Sequence, residues 1–436
     1  MRFSTTIGCT NKVHRKPVHI TRNQQFLLFA LAPMYFLLWG LLLQPFPEMI
    51  RGLLRIFVVP DVLITDYVVV GGAGAALVNA SLITLMCLLI VYFLNMNIDG
   101  NTIAALSLMM GFSLFGKNLL NIWSIILGVF LYAKYHKTHL SNYIYLGFYG
   151  TSLSPIITQT VQLGHFPLPV RIFLGLFVGA LIGFVLPPLA AHLYNTHKGY
   201  SLYNAGFAAG IIATIIISLY KSFGFPLDTC KLWATGYNVL FSEILISFFA
   251  GMILVGVIVG KNVFRKYWNI LKYPGLGGTD FTFSEGFCPT LVNMGVNGIF
   301  STLFVVAVGA ELNGASIGGI FTIVGFSAAG KTVRNITPIM IGVTLASFCG
   351  NWNITDPAAV LALLFSTTLA PIAGQFGVIA GILAGFLHAA VALNIGIVYS
   401  GMNLYNNGFA GGTVASFLVP IFKSIQNRNA RAKGII

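Results

Sequence analysis

Charge is what this 436-residue sequence has least of. Only 8% of its residues are Asp, Glu, Lys or Arg, and of these just 10 are acidic. A soluble domain keeps its surface in water with about a quarter charged residues, so a water-soluble globule is excluded. Cysteine is scarce as well. The five, at 9, 87, 230, 288 and 349, show no CxxC or other ligand spacing, which argues against a disulfide framework or a zinc site. The eight histidines form no H-E-x-x-H or similar pattern, and His192, His197 and His388 have no carboxylate at helical spacing. No cofactor, no metal and no catalytic residue are therefore expected. The net charge of +14 comes without a basic stripe interleaved with aromatics on a polar segment, so nucleic acid is not the expected partner. Lys and Arg gathered in the short loops of a membrane protein produce the same excess.

What the chain does have is apolar length. Hydrophobic residues make up 57% of it and the mean hydropathy is +0.86. Runs of about 20 apolar residues, long enough to cross a bilayer, recur throughout. Lipid offers the backbone no hydrogen bonds, so these runs read as helices of an all-α integral membrane protein. The 48 glycines suit close helix contacts in lipid.

The sequence is also a duplicate of itself. GFSLFGKNLLNI at 111–122 returns as GFSAAGKTVRNI at 325–336. At this offset of 214, Arg51 falls on Arg265, Thr65-Asp66 on Thr279-Asp280, Leu77-Val78-Asn79 on Leu291-Val292-Asn293, and Gly100 on Gly314. Thr151, Leu153, Pro155 and Gln159 match Thr367, Leu369, Pro371 and Gln375 at 216. Then Gly175, Gly179 and Gly183-Phe184 match Gly377, Gly381 and Gly385-Phe386 at 202, as Tyr203-Asn204-x-Gly206-Phe207 matches Tyr405-Asn406-x-Gly408-Phe409. The loss of 14 positions is one insertion in the first copy, around 160–173, with His165.

The expected organisation is a basic cytoplasmic tail at 1–25, a first membrane repeat at 26–222, a linker at 223–239, a second repeat at 240–424 and a basic cytoplasmic tail at 425–436. The first tail has no apolar h-region and no small-residue cleavage site, which argues against a signal peptide. Apolar segments in the first repeat are 26–44, 73–94, 102–116, 119–135, 143–158, 174–193 and 203–221. In the second they are 240–260, 287–308, 316–330, 333–349, 357–371, 376–399 and 404–422. Residues 48–58 and 262–272 space their apolar side chains like short interfacial helices. The pair 102–116 and 119–135 must fold back on itself, either as two thin spans or as a re-entrant hairpin, and 316–349 likewise. The segment count per repeat, about seven or five, is odd either way, so the second copy is expected to lie upside down relative to the first. With the N-terminus inside, 18 of the 24 Lys and Arg fall on the cytoplasmic side.

Duplicated polar residues inside apolar segments are the candidate site. Asn79 and Asn293 would hydrogen-bond a polar solute, hold a helix break open, or glue helices together. Tyr203-Asn204 and Tyr405-Asn406 precede a glycine-rich helix start, either an anion site at a helix N-terminus or simply a capped start. Thr151 and Thr367 belong to the same set. Lys117 and Lys331 stand at the hairpin tips. GFSAAGKT at 325–332 spells a phosphate loop, but that loop needs a preceding strand and a nearby magnesium-holding carboxylate, and the first copy has Asn118 in place of the hydroxyl. What remains is an intramembrane Lys in each repeat, a candidate for binding an anionic solute. The bland alternative is that Lys331 snorkels to the cytoplasmic face. Asp66 and Asp280 read as helix caps, the Gly175/179/183 and Gly377/381/385 ladders as packing faces, and Pro155 and Pro371 as ends or kinks of helices. Glu243 and Glu311 have no acidic mate in the other repeat, so proton coupling is not advertised.

LVN, GFSxxGKxxxNI, TxLxP and LYNxGFAxG, each present twice, resemble an uncharacterised bacterial membrane family, domain of unknown function 1576. The resemblance covers nearly all of 60–424 and implies a bacterial inner (plasma) membrane, with no substrate. Asn79-Ala80-Ser81-Leu82, followed by a broken segment, is similar to the re-entrant stretches of urea channels, although Val78 stands where those carry an aromatic residue. The expected function is a transporter or channel for a small polar or anionic solute, acting in a lipid bilayer. A membrane enzyme working on lipid-linked substrates and a non-transporting scaffold or sensor are the alternatives, and a homo-oligomer is left open.

Overall fold

The computed structural model describes residues 21–59, 61–163, 166–225 and 230–432. Nearly all of the tail expected at 1–25 lies outside the described residues, as do His165 and the last four positions of the chain. The first half runs α1 (Arg22–Leu43), α2 (Phe46–Val58), α3 (Tyr67–Gly71), α4 (Ala73–Phe93), α5 (Gly100–Phe112), α6 (Trp123–Tyr135), α7 (Ile144–Gly150), α8 (Ser154–Val161), α9 (Leu168–His197) and α10 (Asn204–Ser222). The second half repeats the order as α11 (Asn238–Val259), α12 (Val263–Ile270), α13 (Phe281–Ser284), α14 (Phe287–Ala307), α15 (Gly314–Phe326), α16 (Val333–Cys349), α17 (Pro357–Phe365), α18 (Ala370–Phe376), α19 (Val378–Ile395) and α20 (Asn406–Ala432). Counting 357–376 as one, nine helices among the described residues are long and apolar enough to cross a membrane. The protein is an all-α, multi-pass membrane protein.

Local chemistry sets where these helices begin. Asp66 and Asp280 cap α3 and α13, accepting from the amides of Val68 at 2.9 Å and Thr282 at 2.8 Å. Asp99 and Asn313 cap α5 and α15 in the same way. Pro155 and Pro371 sit in the first turn of α8 and α18, directly after 3-10 turns at Thr151–Leu153 and Ser366–Leu369. A proline has no N–H to continue the ladder but tolerates a first turn, so each opens a new helix rather than merely kinking an old one. The segment expected at 119–135 becomes helical only at Trp123. Asn118 Oδ1 takes the amides of Leu120 and Asn121 at 2.9 and 3.0 Å, which spends 118–122 on a turn. Conversely α9 exceeds the expected 174–193 at both ends, and α20 carries helix through most of the expected tail at 425–436.

Equivalent helices lie at equivalent depths. Of the apolar windows of α1 and α11, 22% is buried in each, and of α4 and α14 61% in each. The first pair is the outer layer and the second belongs to the core. In the middle, α5 packs against its own counterpart α15. A Cβ on Gly111, late in α5, would meet the carbonyl of Gly318, early in α15, at 2.7 Å, and one on Gly325, late in α15, would come within 3.1 Å of the Ala104 backbone, early in α5. These two equivalent helices therefore run antiparallel. The N-terminal turns of α10 and α20 also meet, Gly206 against Gly408, with Phe207 against Gly412 and Phe409 against Gly210.

Hydrogen bonds cross between the halves in matched pairs. Leu202 N donates to Thr368 O and Leu404 N to Ser152 O, both at 3.0 Å. Asp280 accepts the amide of Gly100, and Asp66 faces that of Gly314. Each capping aspartate thus holds the start of the other half's central helix as well as its own. The glycine ladders are packing faces as expected, Gly179 and Gly183 against α6, Gly381 and Gly385 against α18 and α16. Gly377 departs from this: its φ of +93° makes the turn between α18 and α19, and nothing packs on it.

Candidate functional site

The chain reverses between α5 and α6, and again between α15 and α16, inside the protein. At both tips the lysine is fully buried, Lys117 and Lys331 being 0% exposed. Neither side chain snorkels to a surface.

Asn79 and Asn293 explain how the tips are held. Asn79 Nδ2 donates to Ser113 O at 2.7 Å and Lys117 O at 2.9 Å, and Asn293 Nδ2 donates to Ser327 O at 2.7 Å and Lys331 O at 2.8 Å. Carbonyls freed where a helix stops need donors, because lipid supplies none. Of the readings open for these amides, the observed contacts are those of a brace on the helix break. The Oδ1 atoms of both have no hydrogen-bond partner among the described residues. Asn297, one turn beyond Asn293, adds a bond to Ser327 Oγ at 2.6 Å and leaves its own Oδ1 unpartnered.

The two amino groups are differently served. Lys331 Nζ donates to the hydroxyl of Tyr203, from the other half, and to Thr367 Oγ1 at 2.8 Å, and it sits 4.4 Å from the centre of the Tyr203 ring. Lys117 Nζ has one carbonyl, Phe148 O at 3.2 Å, and the Met109 thioether at 3.5 Å, and it lies 5.0 Å from the Phe112 ring centre. Thr151, the mate of Thr367, points its hydroxyl at the same Phe148 carbonyl, 2.7 Å away. The hydroxyl of Tyr405, the mate of Tyr203, has no hydrogen-bond partner among the described residues. No carboxylate pairs with either lysine among the described residues.

Aromatic rings close the region between the tips. Tyr203 and Tyr405 lie 4.8 Å apart, Phe112 stacks on Phe365 at 5.6 Å, and Phe326 stacks on Tyr149 at 6.1 Å. The structure thus groups Lys331 with Thr367 and Tyr203, and Lys117 with Thr151, the two groups being linked through Phe112, Tyr405 and Tyr203, with Asn79 and Asn293 behind them. It does not bring in Asn204 and Asn406. Their Nδ2 atoms donate to Ala190 O at 2.9 Å and Ala392 O at 3.1 Å, tying the starts of α10 and α20 to the preceding helices.

Sequence reasoning missed Asn297 because its mate is Ile83, and duplication was the signal followed. It also passed over Phe112 and Phe326, although both stand inside the repeated GFSxxGK. A separate apolar cavity of about 610 Å³ opens between α1, α5, α11 and α15, lined by Leu31, Met110, Met252 and Phe321 among others. It shares none of the candidate residues. Among the described residues no group of three or more His, Cys, Asp or Glu could hold a metal ion.

No curated protein and no solved structure is matched by the chain. The model of a family described as protein of unknown function, DUF1576, matches residues 46–222 and 259–424, most of the sequence, and the chain belongs to that family.

Proposed function

We propose that the protein moves a small polar or anionic solute across a membrane, along a path between two halves of opposite topology. The observation that carries this is the pair of buried lysines without carboxylate partners, placed where the halves meet. An uncompensated ammonium in hydrocarbon is expensive, and buried ionisable groups in membrane segments mark solute paths far more often than scaffolding. An anion entering between the tips would supply the missing counter-charge, and hydroxyls of Thr151, Thr367, Tyr203 and Tyr405 would address its oxygens. Antiparallel contact between the equivalent helices α5 and α15 supports inversion, since only a two-fold axis across the helices relates them that way. The hairpins are then re-entrant. With Lys117 and Lys331 removed from the loops, the basic residues divide 17 to 5 in favour of the side holding the N-terminus. On this reading both termini are cytoplasmic and the membrane is the plasma (inner) membrane.

The test is flux into proteoliposomes of full-length protein, using radiolabelled nitrate, inorganic phosphate, lactate and urea. At least one of these, or a close chemical relative, should enter faster than into empty vesicles, and Lys117→Met and Lys331→Met should abolish the entry. If both variants insert and fold yet carry solute at the normal rate, the path does not run between the tips.

A further inference from the structure

One buried ionisable group has no place in this path. Asp61, in the stretch between α2 and α3, is 1% exposed. Its Oδ2 accepts from Asn121 Nδ2 at 2.8 Å, Thr158 Oγ1 at 2.9 Å and Asn118 Nδ2 at 3.3 Å, and its Oδ1 accepts from the Tyr67 hydroxyl. These four groups face it from α3, from the tip of the first hairpin and from α8. Every one is neutral, and only Tyr67 is titratable; no Lys, Arg or His pairs with the carboxylate among the described residues.

Holding the tip together does not require this carboxylate. In the first half Asn118 N donates to Asn121 Oδ1 at 3.0 Å and Asn121 Nδ2 to Gly116 O at 3.1 Å. In the second, Thr332 N donates to Asn335 Oδ1 at 2.8 Å and Asn335 Nδ2 to Gly330 O at 2.9 Å. The same internal clasp closes both tips. Yet the position equivalent to Asp61 is Gly275, whose own Cβ, if it had one, would stand 2.0 Å from Gly330 O. The second tip is therefore closed with no acid beside it, and Asp61 is an addition peculiar to the first. A buried carboxylate kept where a glycine suffices for structure, and hydrogen-bonded to Asn118, the residue after Lys117, calls for a role in which its charge changes.

We infer that Asp61 is a proton-binding site that latches the first hairpin, ionised when the tip is held and protonated when it is released. The ionised group is acceptor-only and matches four donors. A proton arriving on Oδ2 turns that oxygen into a donor facing donors. The hydroxyl of Thr158, on the same oxygen, can rotate to accept it, but the amide NH₂ groups of Asn118 and Asn121 cannot, so these two bonds are the ones weakened, while Tyr67 stays on Oδ1. Both lie on the tip, immediately after Lys117. On the transport reading above, on which this role in coupling rests, a proton gradient would act on the solute path through this one site, in one half only.

Hydrogen–deuterium exchange of the full-length protein in lipid nanodiscs tests the latch without any solute. After correction for intrinsic exchange, peptides covering 113–123 should exchange at least about tenfold faster in mildly acidic than in neutral buffer, the effect of losing even one of the two hydrogen bonds to a charged group. Peptides covering 327–337, which have Gly275 in place of the acid, should not change. Asp61→Asn should fix the first tip at the fast rate at every pH. Should that variant not fold, Tyr67→Phe removes one donor to the ionised form and should move the release to higher pH. Equal behaviour of the two tips, or a pH response that survives in Asp61→Asn, overturns the inference. Because no flux is measured, that failure leaves the transport reading standing, and absent flux leaves the latch standing.

Discussion

Lys331 donates to the hydroxyl of Tyr203 across the boundary between the halves, whereas the hydroxyl of Tyr405, at the matching position, has no partner. Removing the two hydroxyls should therefore have opposite outcomes. Tyr203→Phe breaks a bond to a charged group and should cost about 1.5–3 kcal/mol. Tyr405→Phe removes a buried polar atom that bonds nothing and should be neutral or mildly stabilising. Reversible denaturant titration in mixed micelles reads both, and equal losses would show that the asymmetry is not a property of the protein in solution.

The same asymmetry separates the lysines. Lys117 has a single carbonyl and a thioether for its three protons. Replacing an ill-served buried charge by an apolar side chain of similar size is often stabilising, by about 1–4 kcal/mol. Lys117→Met is expected to raise the unfolding midpoint while it removes solute flux. A residue retained for structure would lower both, so a fall in stability would assign Lys117 to the scaffold.

Asn79 and Asn293 brace their breaks with the same two bonds, and truncation leaves two carbonyls bare in the first half but only one, that of Ser327, in the second. Asn79→Ala and Asn293→Ala should each cost about 1–3 kcal/mol per carbonyl left unsatisfied. The cost should be larger at Asn79, because in the second half Asn297 still reaches the Lys331 carbonyl at 3.3 Å. Unfolding of the two variants side by side checks the order; a greater loss at Asn293 contradicts it.

Much of this was legible in the residues. Period and length gave the helices, and duplication pointed at Asn79, Lys117, Tyr203 and their mates before any coordinates. The hidden parts are those where partners come from elsewhere in the chain. Asn204 and Asn406 are duplicated as faithfully as the tyrosines beside them, yet their amides turn away from the site to neighbouring helices, and nothing in YNxGF records that. Asp61 stands in no repeated motif, and its four donors lie between 6 and 97 positions away, so nothing nearby in the sequence marks it. Residues 119–122 looked like helix; the side chain of Asn118 instead caps a turn there that only a buried tip makes necessary.

Glycine contacts at the centre give a further test with a built-in control. A methyl group on Gly408 would lie 2.7 Å from the Cα of Gly206, backbone against backbone, with no flexible atom to yield. Gly408→Ala should cost about 1–3 kcal/mol as overpacking. Gly251 is also helical, but nothing lies within 4 Å of its Cβ position. There alanine gains helix propensity, about 1 kcal/mol at most, so Gly251→Ala should be neutral or stabilising. Loss of stability in both would mean that helix flexibility, and not the contact between α10 and α20, is what glycine supplies.

Opposite topology of the halves makes the sharpest demand. Val58 and Lys272 end the matched amphipathic stretches after α1 and α11, and both are exposed. In a background where the native cysteines are replaced by serine or alanine, Val58→Cys and Lys272→Cys are expected to react with a membrane-impermeant maleimide from opposite sides. In intact bacterial cells expressing the protein, the first should label and the second should label only after lysis, since the basic stretch 261–272 belongs inside. Labelling of both from one side would place the equivalent helices parallel in the bilayer. The antiparallel contact of α5 with α15 could not then arise from inversion of the whole half, and the two lysine tips would no longer enter a shared path from opposite sides.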